Sequence, residues 1–180
     1  MNKLEIRQKY RDLRDDIPSA VHRERTCKLI ENVLSLDKYR EAKSVMIYCP
    51  IGSEIDLREL ASDTSKAFYM PRMLKGHKMC AVEYRKDTVM IKNGYGIFEP
   101  CGKAYEGRID IVLAPALVCS ENGVRIGYGG GYYDRFLLDK DCTKACVVFD
   151  EFVLPGILSE KHDIAMDIIV TDKRIIKTDI

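Results

Sequence analysis

The sequence lacks an excess of charge of either sign. Its 29 lysine and arginine residues nearly balance 28 aspartate and glutamate residues, so the formal net charge is +1. General nucleic-acid binders usually carry a strong basic excess, and nucleic acid is therefore not an expected partner. The balance still leaves room for a local basic cluster.

Long apolar stretches are also missing. No segment approaches the roughly 20 apolar residues that span a bilayer. The first residues, 1–7, contain no apolar region of the kind that begins a secretory signal. We therefore expect no membrane partner and a cytoplasmic protein.

The seven cysteines form no metal-binding or redox pattern. Their number is odd, their spacing is irregular, and neither a C-x-x-C pair nor a zinc-type set with histidines occurs. Most lie in apolar segments, as Cys49 and Cys146 do. We interpret them as small hydrophobic residues in a reducing compartment.

The 180 residues suit one domain with a substantial core, since 46% are hydrophobic and 32% are charged. No internal repeat, low-complexity tract or linker divides the chain, and we take 1–180 as a single domain. Short apolar segments, several of them β-branched, predict buried strands. These predicted strands are 44–49, 67–70 (ended by Pro71), 79–84, 109–114, 144–149 and 166–171.

Helices are predicted between these strands. Asn2 and Glu5 have the spacing of a capping box, the first helix ends before Pro18, and Ser19 can cap the second. Shorter helices are predicted at 57–66 and within 130–139. The residues expected to face the core are Ile6, Tyr10, Leu13 and Ile17 in the first helix, and Cys27, Ile30, Val33 and Leu34 in the second.

Alternating strands and helices predict an open, Rossmann-like α/β fold, a three-layer sandwich whose sheet is largely parallel. Residues 75–108 are richer in glycine, lysine and turn residues. We expect them to form an antiparallel excursion at the edge of the sheet.

The most informative segment is 127–131, with four glycines among five residues, which follows strand 109–114 and a turn at 121–123. So many glycines suit neither a helix nor a strand interior, but their bare N–H groups can surround a phosphate. Arg125 adds positive charge, and a helix starting near Tyr132 adds further N–H groups. A plain glycine turn remains an alternative, because neither a Walker A loop nor a G-x-G-x-x-G motif is present.

Asp134 lies directly after this segment. Magnesium is typically held by one or two carboxylates together with phosphate oxygens, so Asp134 could hold this ion. Its alternative role is that of an acidic residue in the first turn of a helix, where the helix dipole favours it.

The segment 125–137, R-I-G-Y-G-G-G-Y-Y-D-R-F-L, resembles the signature of the 5-formyltetrahydrofolate cyclo-ligase family (5,10-methenyltetrahydrofolate synthetases). Two positions depart from the family pattern: Phe152 stands where glutamine is common, and Leu158 where proline is usual. Further segments resemble the family in the same order, namely 3–7, 47–50 with 54–55, 70–72, 94–100, 110–116, 162–163 and 169–171.

The resemblance implies an enzyme that converts 5-formyltetrahydrofolate to 5,10-methenyltetrahydrofolate while ATP is split into ADP and phosphate. The γ-phosphoryl group would activate the formyl oxygen, and the neighbouring folate nitrogen would then attack. We expect a monomer that acts on these two small molecules with Mg²⁺. A non-catalytic folate- or nucleotide-binding module and a small-molecule kinase that uses the same loop are the alternatives.

The resemblance also assigns residues. Glu54 would accept hydrogen bonds from the pterin ring, and Asp134 and Asp163 would hold magnesium. The residues assigned to ATP are Lys3, Arg7, Arg125, Ile126, Gly127, Tyr128, Gly129, Gly130, Gly131, Tyr132 and Tyr133. The residues assigned to the folate are Cys49, Pro50, Glu54, Tyr128, Gly129, Gly130, Gly131 and Tyr132.

Other roles stay open from the residues alone. Lys3 and Arg7 could instead form a solvated basic face, and Asp163 could be a loop carboxylate held by local N–H groups. Candidates for aromatic contact with substrate rings are Tyr48, Tyr95, Phe98 and Tyr128. Residues expected to have structural or general electrostatic roles are Arg11, Arg14, His77 and His162.

Overall fold

The structure is a computed structural model that describes residues 2–157 and 159–178. Its helices are α1 (Lys3–Asp15), α2 (Ser19–Ser35), α3 (Asp37–Glu41) and α4 (Tyr132–Leu137), with short 3-10 helices at Arg58–Ser62 and Asp150–Phe152. Its strands are β1 (Ser44–Met46), β2 (Ala67–Leu74), β3 (Lys78–Tyr84), β4 (Met90–Lys92), β5 (Phe98–Pro100), β6 (Ala104–Tyr105), β7 (Ile111–Pro115), β8 (Val118–Ser120), β9 (Arg125–Ile126), β10 (Thr143–Val147), β11 (Val153–Leu154), β12 (Ile168–Val170) and β13 (Ile175–Lys177).

Eight strands form the central sheet, in the order β13–β12–β10–β7–β1–β2–β3–β6. The five strands from β12 to β2 are parallel, while β13, β3 and β6 are antiparallel to their neighbours. The predicted α/β fold with a largely parallel sheet is confirmed. The antiparallel edge formed by β3 and β6 lies within 75–108, as expected.

The parallel strands are buried on both faces, which explains why they appear as continuous apolar segments. Four consecutive residues of β7, Ile111 to Ala114, are fully buried, and Val45 and Met46 of β1 are equally so. These strands end close together at one edge of the sheet. The loops that follow them form the cleft described below.

Helix α1 starts as the sequence predicts. The Asn2 side chain accepts hydrogen bonds from the N–H groups of Leu4 and Glu5 at 3.0 and 2.9 Å, and Glu5 Oε2 accepts from Asn2 N at 3.0 Å. The expectation that Leu13 faces the core is wrong, because this residue is 45% exposed. The last turn instead presents Arg14 to the protein interior, where only 4% of it is exposed.

Helix α2 differs from the prediction at its start. Ser19 is the first residue of the helix, and Pro18 occupies the capping position without a side-chain hydrogen bond. The prediction that Ser19 caps this helix is therefore wrong. Proline serves here because its fixed φ already suits the entry into a helix.

The core face of α2 is also narrower than predicted. Leu29, Ile30 and Val33 are buried, whereas Cys27 and Leu34 are exposed. At about 100° per residue, these two positions lie roughly a quarter turn or more from the centre of the buried stripe. The prediction that they face the core is wrong for this reason.

Strand β2 continues through Pro71 to Leu74, so the predicted end at Pro71 is wrong. Ile47 N donates to Tyr69 O at 2.9 Å, so the backbone of Tyr69 faces β1. Residues two apart in a strand direct their backbone groups to the same side, so the backbone of Pro71 also faces the β1 side of β2. By then β1 has ended, so the missing N–H breaks no ladder hydrogen bond. The helix predicted at 57–66 is only a 3-10 helix at Arg58–Ser62.

Phe152, one of the two departures from the family pattern, is buried in the core. Its ring meets Tyr10 of α1 edge-on, with ring centres 5.8 Å apart. The other departure, Leu158, lies outside the described residues.

The helices of the described residues are all too short or too polar to span a membrane.

Candidate active site

A cleft of about 460 Å³ opens beside the ends of β1 and β7. This volume is within the range of roughly 300–1,000 Å³ that is typical of ligand sites. Pro50 lies between two lining residues, Cys49 and Ile51, but does not itself line the cleft. The other residues proposed from the sequence all line it: Lys3, Arg7, Cys49, Glu54, Arg125, Ile126, Gly127, Tyr128, Gly129, Gly130, Gly131, Tyr132, Tyr133, Asp134 and Asp163.

The glycine-rich segment 127–131 forms one wall. Within the described residues, none of its five backbone N–H groups donates to a backbone carbonyl. Gly129 and Gly131 have φ of 96° and 64°, conformations that residues with a side chain rarely adopt. A Cβ at Gly129 would lie 3.3 Å from Arg7 Cζ, so this glycine also lets a cationic side chain approach the backbone.

Two cations of α1 reach this wall. Arg7 Nε donates to the carbonyl of Gly127 at 3.0 Å, and Lys3 Nζ lies 2.7 Å from Asp163 Oδ2 and 3.1 Å from Glu160 Oε2. The alternative of a fully solvated basic face is therefore wrong for these two residues. Helix α1 supplies the cleft with positive charge from a distant part of the chain.

Arg125 carries the most deeply buried cation of the cleft, with 5% of its side chain exposed. Its Nη2 lies 3.2 Å from Asp134 Oδ2, and Nη1 donates to the carbonyl of Pro115 at 3.3 Å. Its Nε has no partner among the described residues, and neither has the buried Tyr133 hydroxyl. Buried donors without partners are costly, and both belong to residues that line the cleft, where a ligand oxygen could accept from them.

The predicted magnesium ligands, Asp134 and Asp163, both line the cleft. The N–H of Ile164, the residue after Asp163, donates to Asp134 Oδ1 at 3.3 Å. Glu160, His162 and Asp163 each offer a ligand atom within 4.8 Å of the others. Burial would raise the pKa of Asp163, but hydrogen bonds from Glu160 N–H and Lys3 lower it below its usual value. Carboxylate oxygens suit Mg²⁺, so the donor set fits this ion, although both aspartates pair with cations here.

Glu54 is a buried acid that also lines the cleft, with 5% exposure. Its Oε2 accepts a hydrogen bond from Ile51 N at 2.8 Å. Burial raises its pKa, and the Ile51 N–H and the charge of Arg14 oppose this rise. Burial also raises the pKa of the nearby Cys49 thiol, which agrees with a wall residue rather than a nucleophile.

The β4–β5 hairpin forms an apolar wall. Tyr95, Ile97 and Phe98 line the cleft from this hairpin, and Met73 and Met79 line it from β2 and β3. Tyr95 is 74% and Phe98 50% exposed, so both present aromatic surface to a ligand. Such a surface is typical of sites that hold flat rings.

Two polar side chains, those of Asn93 and Glu99, stabilise the β4–β5 hairpin. Asn93 Oδ1 accepts from the N–H groups of Tyr95 and Ile97 at 2.9 and 3.0 Å, and its Nδ2 donates to Glu99 Oε1 at 2.8 Å. The same Glu99 oxygen accepts from Met73 N at 2.8 Å. These bonds fasten the hairpin tip to β2.

Comparison with known proteins identifies the family. The model of the 5-formyltetrahydrofolate cyclo-ligase family matches residues 1–172. The chain belongs to this family.

Individual cyclo-ligases match over most of their length. The 5-formyltetrahydrofolate cyclo-ligase of Mycolicibacterium smegmatis is 31% identical, over 96% of this chain and 95% of the relative. That of Haemophilus influenzae is 28% identical over 74% and 76%, respectively. The solved structure of Aquifex aeolicus 5,10-methenyltetrahydrofolate synthetase superposes with a TM-score of 0.87 and 28% identity, covering 98% of this chain and 93% of that one.

Several residues that line or support the cleft of this cyclo-ligase family member were missed from the sequence. Asn93 and Glu99 were not singled out, although Asn93–Gly94 is a typical turn signal that could have indicated the hairpin. Arg14 was given a general electrostatic role, and nothing in its spacing distinguishes it from its neighbours. His77 and His162 were expected to be structural, yet both line the cleft.

Proposed function

We propose that this protein converts 5-formyltetrahydrofolate to 5,10-methenyltetrahydrofolate while it splits ATP into ADP and phosphate. Family membership supports the proposal. The observation that carries it is that one cleft joins a glycine-rich, cationic wall to an apolar wall with a buried carboxylate beside it. A nucleotide and a folate need these two surfaces side by side.

The ATP phosphates are proposed to lie against segment 127–131. Its backbone N–H groups are available there, and Arg125 offers a buried Nε without a partner. Lys3 and Arg7 supply positive charge from the other side. Oriented N–H groups and fixed cations of this kind stabilise phosphate charge without reorganisation during the reaction.

The folate is proposed to lie between Glu54 and the β4–β5 hairpin. The Glu54 carboxylate can accept paired N–H donors from the amino-pyrimidine edge of the pterin. Tyr95 and Phe98 offer aromatic surface to the rings. This arrangement would direct the formyl group towards the glycine segment and the ATP phosphates.

The chemistry needs positioning more than an enzyme nucleophile. The formyl oxygen attacks the γ-phosphorus, a P–O bond forms, and ADP leaves. The neighbouring folate nitrogen then attacks the activated formyl carbon, loses its proton, and the C–O bond breaks with release of phosphate. The substrate supplies its own nucleophile, so Cys49 can serve as a wall.

Asp134 and Asp163 are the proposed magnesium ligands, with Glu160 close to Asp163. When bound, the ion would offset negative charge on the phosphates during transfer. Its binding would compete with the pairs that these aspartates make to Arg125 and Lys3. Both walls come from one chain, which supports a monomer. We further propose that it acts on small molecules in the cytoplasm, without nucleic acid or membrane.

The deciding experiment supplies purified protein with 5-formyltetrahydrofolate, ATP and MgCl₂, and follows the methenyl chromophore together with ADP. We expect one ADP per methenyl product. Omission of ATP or addition of EDTA should stop the reaction, and Asp134→Asn should raise the MgCl₂ concentration that gives half-maximal activity.

Two outcomes would overturn the proposal. Calorimetric binding of both ligands without product would indicate a binding module. A stable phosphorylated product without a cyclised folate would indicate a kinase.

A further inference from the structure

Arg14 is a buried cation that connects three separate segments around the cleft. Its Nε donates to Ser53 Oγ at 2.9 Å, Nη1 to the carbonyl of Ala116 at 3.4 Å, and Nη2 to the Tyr128 hydroxyl at 2.5 Å. These partners lie in the loop after β1, the loop after β7 and the glycine-rich segment. Arg14 therefore links the Glu54 loop to the glycine wall.

Arg14 and Glu54 are both buried, at 4% and 5% exposure, yet neither forms an ion pair within residues 2–157 and 159–178. A buried charge without compensation is unfavourable. The two side chains line one small cavity of about 10 Å³, together with Tyr48 and Phe149. This is about the space of one water molecule, and the charge of Arg14 is close enough to oppose the rise that burial causes in the pKa of Glu54.

We propose that Arg14 is a positioning residue for the folate: it fixes the Tyr128 hydroxyl and supplies the counter-charge for Glu54 across this cavity. The folate part of this inference rests on the proposed function. The compensation of the Glu54 charge by Arg14 does not.

Among the described groups around Glu54, Arg14 is the one cation that can compensate its charge. Burial raises the pKa of each neighbouring tyrosine and of the Cys49 thiol, so these groups are neutral near pH 7. Glu54 also accepts the Ile51 N–H, which carries no formal charge. The titratable and charged groups around Glu54 are Arg14 from α1, Tyr48 and Cys49 after β1, Tyr128 from the glycine segment and Tyr133 from α4.

The first test needs no substrate. In protein labelled with ¹³C-glutamate, the Glu54 carboxylate is titrated by NMR, with Glu54→Gln to assign its signal. Arg14→Met should raise the Glu54 midpoint by at least one pH unit. Arg11→Met is the matched control, because it removes a cation from the same helix that also lies 5.2 Å from the Tyr128 ring. It should leave the midpoint unchanged.

Stability provides a second test, which also covers poor folding of Arg14→Met. If the two charges compensate each other, the double variant Arg14→Met/Glu54→Gln should recover at least half of the Tm lost by Arg14→Met alone. Arg14→Gln, which keeps a donor for Ser53 while removing the charge, should behave as Arg14→Met does. An additive loss in the double variant would overturn the pairing.

Kinetics test the folate part. Arg14→Met should raise KM for the folate at least tenfold, leave KM for ATP within twofold, and move the acid limb of kcat/KM for the folate to higher pH. Tyr128→Phe should raise KM and move this limb less than Arg14→Met does, because the Tyr128 hydroxyl lowers the pKa of Glu54 less than the charge of Arg14. A purely structural role predicts an unchanged pH profile, which would contradict the inference. If the protein has no turnover, the proposed function fails, while the NMR and stability tests still decide on the pairing.

Discussion

The glycine-rich wall of the cleft and the β4–β5 hairpin use their polar groups differently. The glycine-rich wall has most of its polar groups on the surface that faces the cleft. Arg125 pairs with Asp134, and Lys3 pairs with Asp163, and all four residues line the cleft. A bound phosphate or cation must replace these pairs with its own contacts. The charges of this wall are thus balanced by pairs within the protein.

The hairpin is built the other way. Its polar side chains Asn93 and Glu99 form hydrogen bonds to each other, to the hairpin backbone and to the Met73 backbone of β2. The surface that they support is apolar and can receive a ring without loss of an ion pair. The glycine-rich wall thus offers charge and the hairpin offers an apolar shape, so variants of the two walls should affect the two proposed substrates separately.

The largest expected effect is that of Arg125→Met. It removes the buried cation and its forked donors, and each hydrogen bond to a charged group contributes about 1.5–3 kcal/mol. We expect kcat/KM for ATP to fall by roughly 100-fold or more, with folate binding changed little. Steady-state kinetics with each substrate varied in turn measures this. Arg125→Lys, which keeps the charge but not the fork, should recover part of the loss, and an equal loss for both substrates would contradict the separation of the walls.

Gly129→Ala should have the next largest effect. Its φ of 96° is unfavourable for alanine, and the new Cβ would lie 3.3 Å from the Arg7 guanidinium carbon. Strain of about 1–2 kcal/mol corresponds to roughly a tenfold rise in KM for ATP. Gly156→Ala is the control, because its Cβ meets nothing within 4 Å, and it should bind ATP as the wild type does. No difference between the two variants would exclude a role for this backbone conformation.

Phe98→Ala tests the apolar wall. Removal of the ring should raise KM for the folate by roughly five- to tenfold, a loss of about 1–1.5 kcal/mol, and leave KM for ATP unchanged. Ile91→Ala is a matched control, since Ile91 lies on the same hairpin with 48% exposure against 50% for Phe98, but not in the cleft. Equal effects of the two substitutions would point to a general change in the hairpin.

The smallest effect concerns stability and pH. The pKa of folded Asp163 is lowered below its ordinary value of 3.8, so the ionised form stabilises the fold at higher pH. This contribution is lost as the pH falls through the lowered pKa. Asp163→Asn should therefore lower Tm near pH 7 by roughly 0–4 °C, in line with about 0–1 kcal/mol for partly exposed pairs. Thermal scans below pH 3.8 should show the difference shrinking, and a constant difference would contradict this account.

Local patterns made much of the fold and of the charged wall predictable. Buried parallel strands such as β7 are continuous apolar segments, and the capping box at Asn2 depends on residues three apart. The glycine segment and Asp134 are neighbours in sequence, so their proximity in the cleft follows directly.

The remainder depends on contacts between distant segments. Arg11 and Arg14 lie on the same stripe of α1, and only the loops after β1 and β7 decide that Arg14 is buried. Similarly, Pro71 continues a strand because β1 ends beside it, which its own neighbours in sequence do not reveal.

Helix α1 has a consequence for biosynthesis. Arg7 bonds to a residue 120 positions later, and Lys3 bonds to one 160 positions later. Closing such long loops is entropically costly and slow, so these contacts should form late in folding. A chain still emerging from the ribosome can pair β1 with β2 well before α1 has its partners, so the positive charge that α1 brings to the cleft is fixed there only after residue 163 has been made.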